Sequence, residues 1–279
     1  MQAGTPSRTA WAAAAHRAAH QVLENGRIFS DPLAVPILGQ DAETIAREAE
    51  GDPSRRRMRN FIAARTRFAE DALKTAAEHG ITQLVILGAG LDTYAYRTPL
   101  SHRLHIFEVD HPATQAWKRA RLEKAGIAIP DSLTFAPIDF ERQTLAEGLA
   151  AATFDPAQPT FFTWLGVVPY LTHDAVWSTL GFIAGLPNGA HVVFDYSNPP
   201  DSLPAESRAH HDIRAARVAA IGEAWLTYFE SDELRAKLWA GGFSHIEDLG
   251  PREMAARYFP ERVGTVPENG GHVIHAATK

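Results

Sequence analysis

The sequence predicts an α/β fold, a doubly wound seven-stranded sheet with helices on both faces, and three observations carry that reading. The first is the stretch from Ile81 to Thr93, in which the apolar run Leu84-Val85-Ile86-Leu87 stops at Gly88-Ala89-Gly90 and Asp92. A run with no polar residue suits a parallel strand covered on both faces. The second is Leu104-His105-Ile106-Phe107-Glu108-Val109-Asp110, a strand ending on an acid roughly 20 positions after the glycines, the spacing at which a carboxylate reaches ribose hydroxyls. The third is alternation, since five further strand candidates follow, most of them separated by helical patterns.

Gly88 and Gly90 allow a tight turn and a close backbone approach to a ligand. A plain strand-to-helix turn and a ligand loop stand about equal on this stretch alone. The third glycine of the dinucleotide fingerprint is missing, because Thr93 stands in its place, and no Gly-Lys-Ser/Thr follows. An adenosine ligand without a pyrophosphate is therefore favoured, and S-adenosyl-L-methionine (SAM) is the commonest.

With 279 residues and 45% hydrophobic content, the chain can bury one large core or two small ones. A net charge of −6 supplies no basic field, so nucleic acid is not an expected partner. The absence of cysteine excludes disulfides, thiolate catalysis and cysteine-zinc sites. No apolar run approaches the ~20 residues of a membrane span and no apolar signal core opens the chain, so a soluble, cytoplasmic protein without a membrane partner is expected.

Residues 9–24 form the first predicted helix, with Trp11, Ala15, Ala18, Ala19 and Val22 at helical spacings and a polar side of His16, Arg17 and His20 read as a solvated face. Asp31-Pro32 reads as the cap of a short second helix running towards Leu38. Gly51-Asp52-Pro53 reads as a turn that caps a long helix over residues 54–79, ended by Gly80. Within it, Arg65 sits beside Ile62, Phe68 and Ala69 on the buried side, where an unpaired guanidinium is costly, so it requires an anionic partner.

A helix over 112–125 leads to the strand 133–138, which ends in Asp139-Phe140. An acid and an aromatic beyond a strand's carboxyl end suit an adenine ring, and equally the acid suits an N-cap for a helix near Arg142. The strand 160–165 precedes Gly166 to Thr172, and Thr172 caps a helix over 173–184. Strand 190–196, a loop over 197–204, helices 206–221 and 231–240, and strands 243–249 and 272–277 complete the chain, with a short helix at 252–258.

Taken together these stretches resemble the leucine carboxyl methyltransferase-like, SAM-dependent O-methyltransferases of bacteria. The marks are Thr9-Ala10 with Arg17, Phe29-Ser30-Asp31-Pro32-Leu33-Ala34, Ala64-Arg65-Thr66-Arg67-Phe68, and Leu87 to Thr93 with Tyr96-Arg97. Phe107-Glu108-Val109-Asp110, Gly166 to Thr172 and Gly222-Glu223-Ala224-Trp225 follow in order. The resemblance implies a Rossmann-like (class I) methyltransferase sheet with a late antiparallel strand at its edge. It implies a helical N-terminal extension, residues 1–80, over a SAM-binding domain, 81–279, with a helical lid near 197–226.

In similar proteins the arginine matching Arg65 pairs with the SAM carboxylate, and that matching Arg17 lies at the same end. Gly88 and Gly90 meet the cofactor, Asp110 its ribose, and Asp139 with Phe140 its adenine. Leu165 occupies a cofactor-site position where the phosphatase-modifying relatives carry a glutamate, five residues before the match to Tyr170. Any role of that carboxylate is absent here, so a small-molecule methyl acceptor is expected rather than a phosphatase C-terminus.

An NAD(P)-binding oxidoreductase is the rival, disfavoured by the missing glycine and by the lack of a Tyr-x-x-x-Lys relay; a catalytically silent SAM-binding protein is a third reading. No metal is expected, since the adjacent His210 and His211 cannot share a helical face. The acceptor is expected to be a carboxylate, already ionised at neutral pH and needing no general base. Tyr170, Arg208, Arg214 and Arg217 are the candidate acceptor contacts, and His173, His210 and His211 are the fallback bases for a hydroxyl acceptor.

Overall fold

The computed structural model describes residues 7–50, 53–140 and 142–278. In chain order they form α1 (Arg8–Glu24), α2 (Ala34–Leu38), α3 (Ala42–Glu50), α4 (Pro53–Glu78), β1 (Gln83–Leu87), α5 (Tyr94–Arg97), β2 (His105–Asp110), α6 (Pro112–Lys124) and β3 (Leu133–Pro137). These are followed by α7 (Leu145–Ala151), β4 (Thr160–Trp164), α8 (His173–Ala184), β5 (Ala190–Ser197), α9 (Ala205–Ala220), α10 (Ser231–Ala240), β6 (His245–Leu249), α11 (Pro251–Tyr258) and β7 (Gly271–Ala277). One seven-stranded sheet runs β3-β2-β1-β4-β5-β7-β6. The first five of these are parallel neighbours, and β7 is antiparallel to both β5 and β6. The late antiparallel strand is thus inserted inside the sheet, and β6 forms the edge.

Side chains of β1 alternate between two cores, which is what winding on both faces requires. Val85 and Leu87 join Leu145, Val176, Leu180, Leu234 and Leu238 from α7, α8 and α10 on one face. Leu84 and Ile86 join Phe68, Leu73 and Met254 from α4 and α11 on the other. A third cluster, Ala14, Ala18, Ile37, Leu38 and Ile45 with Leu91 and Leu122, fastens α1, α2 and α3 onto the glycine loop and α6. Order reverses between β1 and β4, where the chain winds away in both directions, and ligands of open α/β sheets sit beyond the strand ends at such a point.

Several local expectations are corrected. Asp31 does not cap α2 by a side-chain bond; Leu33 is the N-cap, without one. Asp31 is fully buried, accepting the Leu33 N–H at 3.1 Å and Arg17 Nε at 3.2 Å, so an ion pair holds it instead. The helix α3 was not anticipated, although Asp41 signals it by accepting the Thr44 N–H at 2.7 Å. Gly51 and Asp52 of the predicted turn lie outside the described residues. Asp139 caps no helix either: α7 begins at Leu145 behind a capping box, with Thr144 accepting the Glu147 N–H at 3.2 Å and Glu147 accepting the Thr144 N–H at 2.8 Å.

Candidate functional site

A cavity of about 2270 Å³ opens at the carboxyl ends of β1, β2, β4 and β5, under α1, α4 and α9. That is more than twice the ~1,000 Å³ at the upper end of single small-molecule pockets, so the space suits two ligands. Its floor is the glycine loop. Gly88 has φ +64° and Gly90 φ +44°, and a Cβ on Gly90 would lie 2.9 Å from the Ala10 methyl of α1. Only glycine accommodates both demands without strain.

Asp110 closes the loop from the end of β2. Its carboxylate accepts the Gly90 N–H at 2.6 Å and the His111 N–H at 2.7 Å. Burial pushes the Asp110 carboxyl up, against the pull of those two donors. A carboxylate offers about four lone-pair sites, so two remain for hydroxyl donors in the cavity. Farther along the rim, Asp139 and Phe140 both line the cavity, and Phe140 is 57% exposed, available to stack a flat base. Leu165 lines the same wall, half-buried.

At the other end lie the two arginines singled out in the sequence. Arg65 is buried, as expected, and its anionic partner is a residue of the chain: Nη1 donates to Asp195 Oδ2 at 2.5 Å, while Asp195 Oδ1 accepts the Gly166 N–H at 2.5 Å. Gly166 has φ +74°, and a Cβ there would lie 2.9 Å from Arg65 Nη2, so this glycine makes room for the guanidinium. Arg65 Nε is buried with no partner among the described residues, and the residue lines the cavity. Arg17 is committed more fully, with Nε on Asp31 and Nη2 on the Leu91 carbonyl at 2.5 Å. It ties α1 to the glycine loop.

These features fit an adenosyl ligand carrying a charged amino-acid tail. An acid with two free lone-pair sites, an exposed aromatic residue and a buried guanidinium are spread along one trough. SAM, when bound, supplies an electrophilic methyl on its sulfonium. No three histidine, aspartate or glutamate side chains are gathered to hold a metal among the described residues.

The remaining half of the cavity lies between α1, α9 and the segment behind Tyr170. Burial pushes the Tyr170 hydroxyl up, so it stays protonated. Arg214 and Arg217 line the cavity, whereas Arg208 does not: it binds Asp201 at 2.5 Å and Asp212 at 3.2 Å on the outer side of α9. Arg214 donates weakly to the His210 carbonyl at 3.4 Å and lies 5.9 Å from the Trp225 ring centre, with no carboxylate partner among the described residues. Burial, with Arg57 nearby, pushes its pKa down.

His16 is the site residue that helical patterning missed. It lines the cavity, and burial together with the guanidiniums of Arg55, Arg59, Arg65 and Arg214 pushes its pKa down to about 4. Of the fallback histidines, His173 is exposed against Phe229 and does not line the cavity. His210 lines it, with Nδ1 on the Glu206 carbonyl at 2.8 Å, and His211 is buried.

The roof is stitched by long-range bonds. The Glu223 carboxylate accepts the Arg8 N–H at 3.1 Å and the Thr9 N–H at 3.2 Å, joining the predicted lid to the start of α1. Leu226 and Thr227 both donate N–H to the Pro169 carbonyl, at 2.6 and 3.3 Å, which fastens the lid's end beside Tyr170.

Comparison with known proteins places this geometry. Residues 10–184 match the family model described as leucine carboxyl methyltransferase. The Bacillus subtilis protein named "Putative S-adenosyl-L-methionine-dependent methyltransferase YktD" is 30% identical, over 100% of both chains. A Mycolicibacterium smegmatis protein with the same type of name is 32% identical over 82% of this chain and 75% of its own. Among solved structures, a Thermobifida fusca protein designated a methyltransferase aligns with a TM-score of 0.57 at 16% identity, covering 99% of this chain and 96% of that one, a likeness of fold.

Proposed function

Because this chain belongs to the leucine carboxyl methyltransferase family and is a SAM-dependent methyltransferase, we propose that it methylates an oxygen of a small-molecule carboxylate. The observation that carries the acceptor class is Arg214, a cavity-facing guanidinium with no carboxylate partner among the described residues. Arg214 is half-buried, and a partly desolvated cation without a counter-ion carries a cost that a carboxylate in the cavity relieves. His16 argues the same way. With a pKa near 4 it is neutral and weakly basic at pH 7, a poor base for a hydroxyl, while the positive field that adds to burial in depressing it attracts an anion.

The reaction is an in-line displacement. A carboxylate lone pair forms the new O–C bond as the methyl–sulfur bond breaks and its electrons stay on sulfur, leaving a methyl ester and S-adenosylhomocysteine (SAH). No proton moves, so the protein's task is alignment and exclusion of water. Asp110 and the glycine loop hold the adenosyl end. Arg65, fixed by Asp195, holds the charged tail, and Arg214 turns the acceptor's carboxylate towards the methyl. The Tyr170 oxygen accepts from the Trp225 indole, and its own proton, kept by burial, remains to donate.

Transfer of a labelled methyl from SAM to a panel of carboxylic acids tests the reading. The product is expected to release methanol in mild alkali. Arg214→Met is expected to weaken the acceptor by about 2 kcal/mol or more, seen as a roughly 30-fold rise in its KM with the KM for SAM unchanged. Recovery of an alkali-stable methyl ether would overturn the carboxylate assignment.

A further inference from the structure

A chain of hydrogen bonds leads from the outer side of α9 to the acceptor half of the cavity, and the chemistry of each member sets its direction. His211 is 5% exposed. Its Nδ1 lies 3.0 Å from Asp212 Oδ1, and its Nε2 lies 3.0 Å from the Tyr228 hydroxyl. An ionised carboxylate only accepts, so Nδ1 carries the proton that Asp212 receives. In a neutral imidazole Nε2 is then a bare lone pair, and the Tyr228 O–H must donate to it. A phenol has one proton, so the Tyr228 oxygen keeps only lone pairs for whatever else it meets. Tyr228 lines the cavity.

The position of that oxygen is built rather than loose. The residues before it, Leu226 and Thr227, are pinned to Pro169 by their N–H groups, and the Thr227 hydroxyl donates to the Leu171 carbonyl. The residue after it, Phe229, donates its N–H to the Ser197 carbonyl at 3.1 Å. The Trp225 ring centre lies 5.3 Å from that of His211 and 5.9 Å from Arg214 Cζ, so the guanidinium and the imidazole that bonds the Tyr228 hydroxyl share one neighbour.

We propose that Tyr228 recognises a hydrogen-bond donor on the acceptor, with His211 and Asp212 as positioning residues, so that the carboxylate substrate also carries a hydroxyl or amino group. The inference rests on the carboxylate reading above and deepens it: Arg214 holds the charge, and Tyr228 selects among carboxylates. Tyr228 is half-buried, so an analogue that lacks the donor but excludes water from this oxygen leaves it unpaired, which disfavours that analogue.

Two measurements test this on the full chain with SAH bound. Nitrogen NMR of the histidine rings is expected to show His211 protonated on Nδ1 and bare on Nε2; a proton on Nε2 would reverse the polarity and overturn the proposal. Calorimetric titration then uses matched probes: phenylacetate against 4-hydroxyphenylacetate, benzoate against 4-hydroxybenzoate, and decanoate against 3-hydroxydecanoate. At least one hydroxylated member is expected to bind about tenfold more tightly than its partner. Tyr228→Phe and His211→Phe are each expected to shrink that ratio towards one, and combining them adds little. Equal binding within every pair, including no binding at all, or a ratio that survives Tyr228→Phe, overturns the inference. Arg214→Met separates the two readings, because it is expected to weaken both members equally. If it weakens neither while Tyr228→Phe still removes the ratio, the carboxylate anchor fails and the donor-reading oxygen stands.

Discussion

The two halves of the cavity are built differently. The cofactor half is made by neighbours in sequence: Gly88, Gly90 and Asp110 come from consecutive β-α units, joined by the 2.6 Å bond from the Gly90 N–H to Asp110. The acceptor half is made by strangers. His16, Tyr170, Arg214 and Tyr228 come from α1, the segment after β4, α9 and the stretch beyond it, and the Arg65–Asp195 pair, from α4 and β5, stands between the two halves. A backbone cradle leaves little to side-chain choice, whereas an assembly of long-range side-chain pairs can change its specificity by changing one member. The first half suits a cofactor held largely by backbone, and the second suits a substrate read by side chains.

Cutting the pair that joins the halves is expected to have the largest effect. Asp195→Ala would leave Arg65 buried without its counter-ion and free the Gly166 N–H, and removal of one partner of a buried pair costs about 3–5 kcal/mol. Urea denaturation should show that loss. A change below about 1 kcal/mol would mean that solvent reaches Arg65 and that the two halves are only loosely coupled. In the cofactor half, Asp110→Ala is expected to weaken SAM by about 2–4 kcal/mol, the cost of losing a charged hydrogen-bond partner. Calorimetry on a folded variant checks it, and an unchanged dissociation constant would remove Asp110 from the ribose site.

That contrast also explains what could be read in advance. The alternation of strands and helices, the glycine turn and the acid at the end of β2 are local patterns, and each appears in the sheet where the sequence put it. Order at the sheet's end was not readable, because the β5-β7-β6 pairing depends on packing between segments far apart. A helix cap was one of two readings of Asp139 because acids cap helices, but Thr144 with Glu147, five residues further on, makes the box instead. Arg65 could be known to need an anion; that Asp195 supplies it, 130 residues away, could not. His16 was misplaced because a helix with two polar stripes does not say which faces water and which a cavity.

The acceptor half can be probed through that histidine. In the folded chain its pKa is about 4, below the ordinary 6.5, so between those values the unfolded chain binds the extra proton. Its contribution to stability is complete above pH 6.5 and is lost as the pH falls towards 4, by roughly 3 kcal/mol over the window. His16→Gln should flatten that part of the acid-denaturation curve while leaving stability at pH 8 little changed. Identical curves for the two proteins would show His16 in contact with water and the positive field around it screened.

The smallest expected effect concerns the roof. Glu223 accepts two N–H groups at the start of α1, where a carboxylate also meets the positive end of the helix dipole, yet Ser7 already accepts the Ala10 N–H there. Its loss in Glu223→Ala is therefore partial, about 1 kcal/mol or less. Since global stability barely registers such a change, local opening is the sensitive measure. Amide hydrogen exchange should quicken over residues 8–12 and 206–225 in the variant, and SAH should slow the same segments in the parent chain if they cover the bound cofactor. Exchange that is equally slow in parent and variant, with and without SAH, would mean that the roof is part of the rigid frame and that the acceptor enters by another face of the cavity.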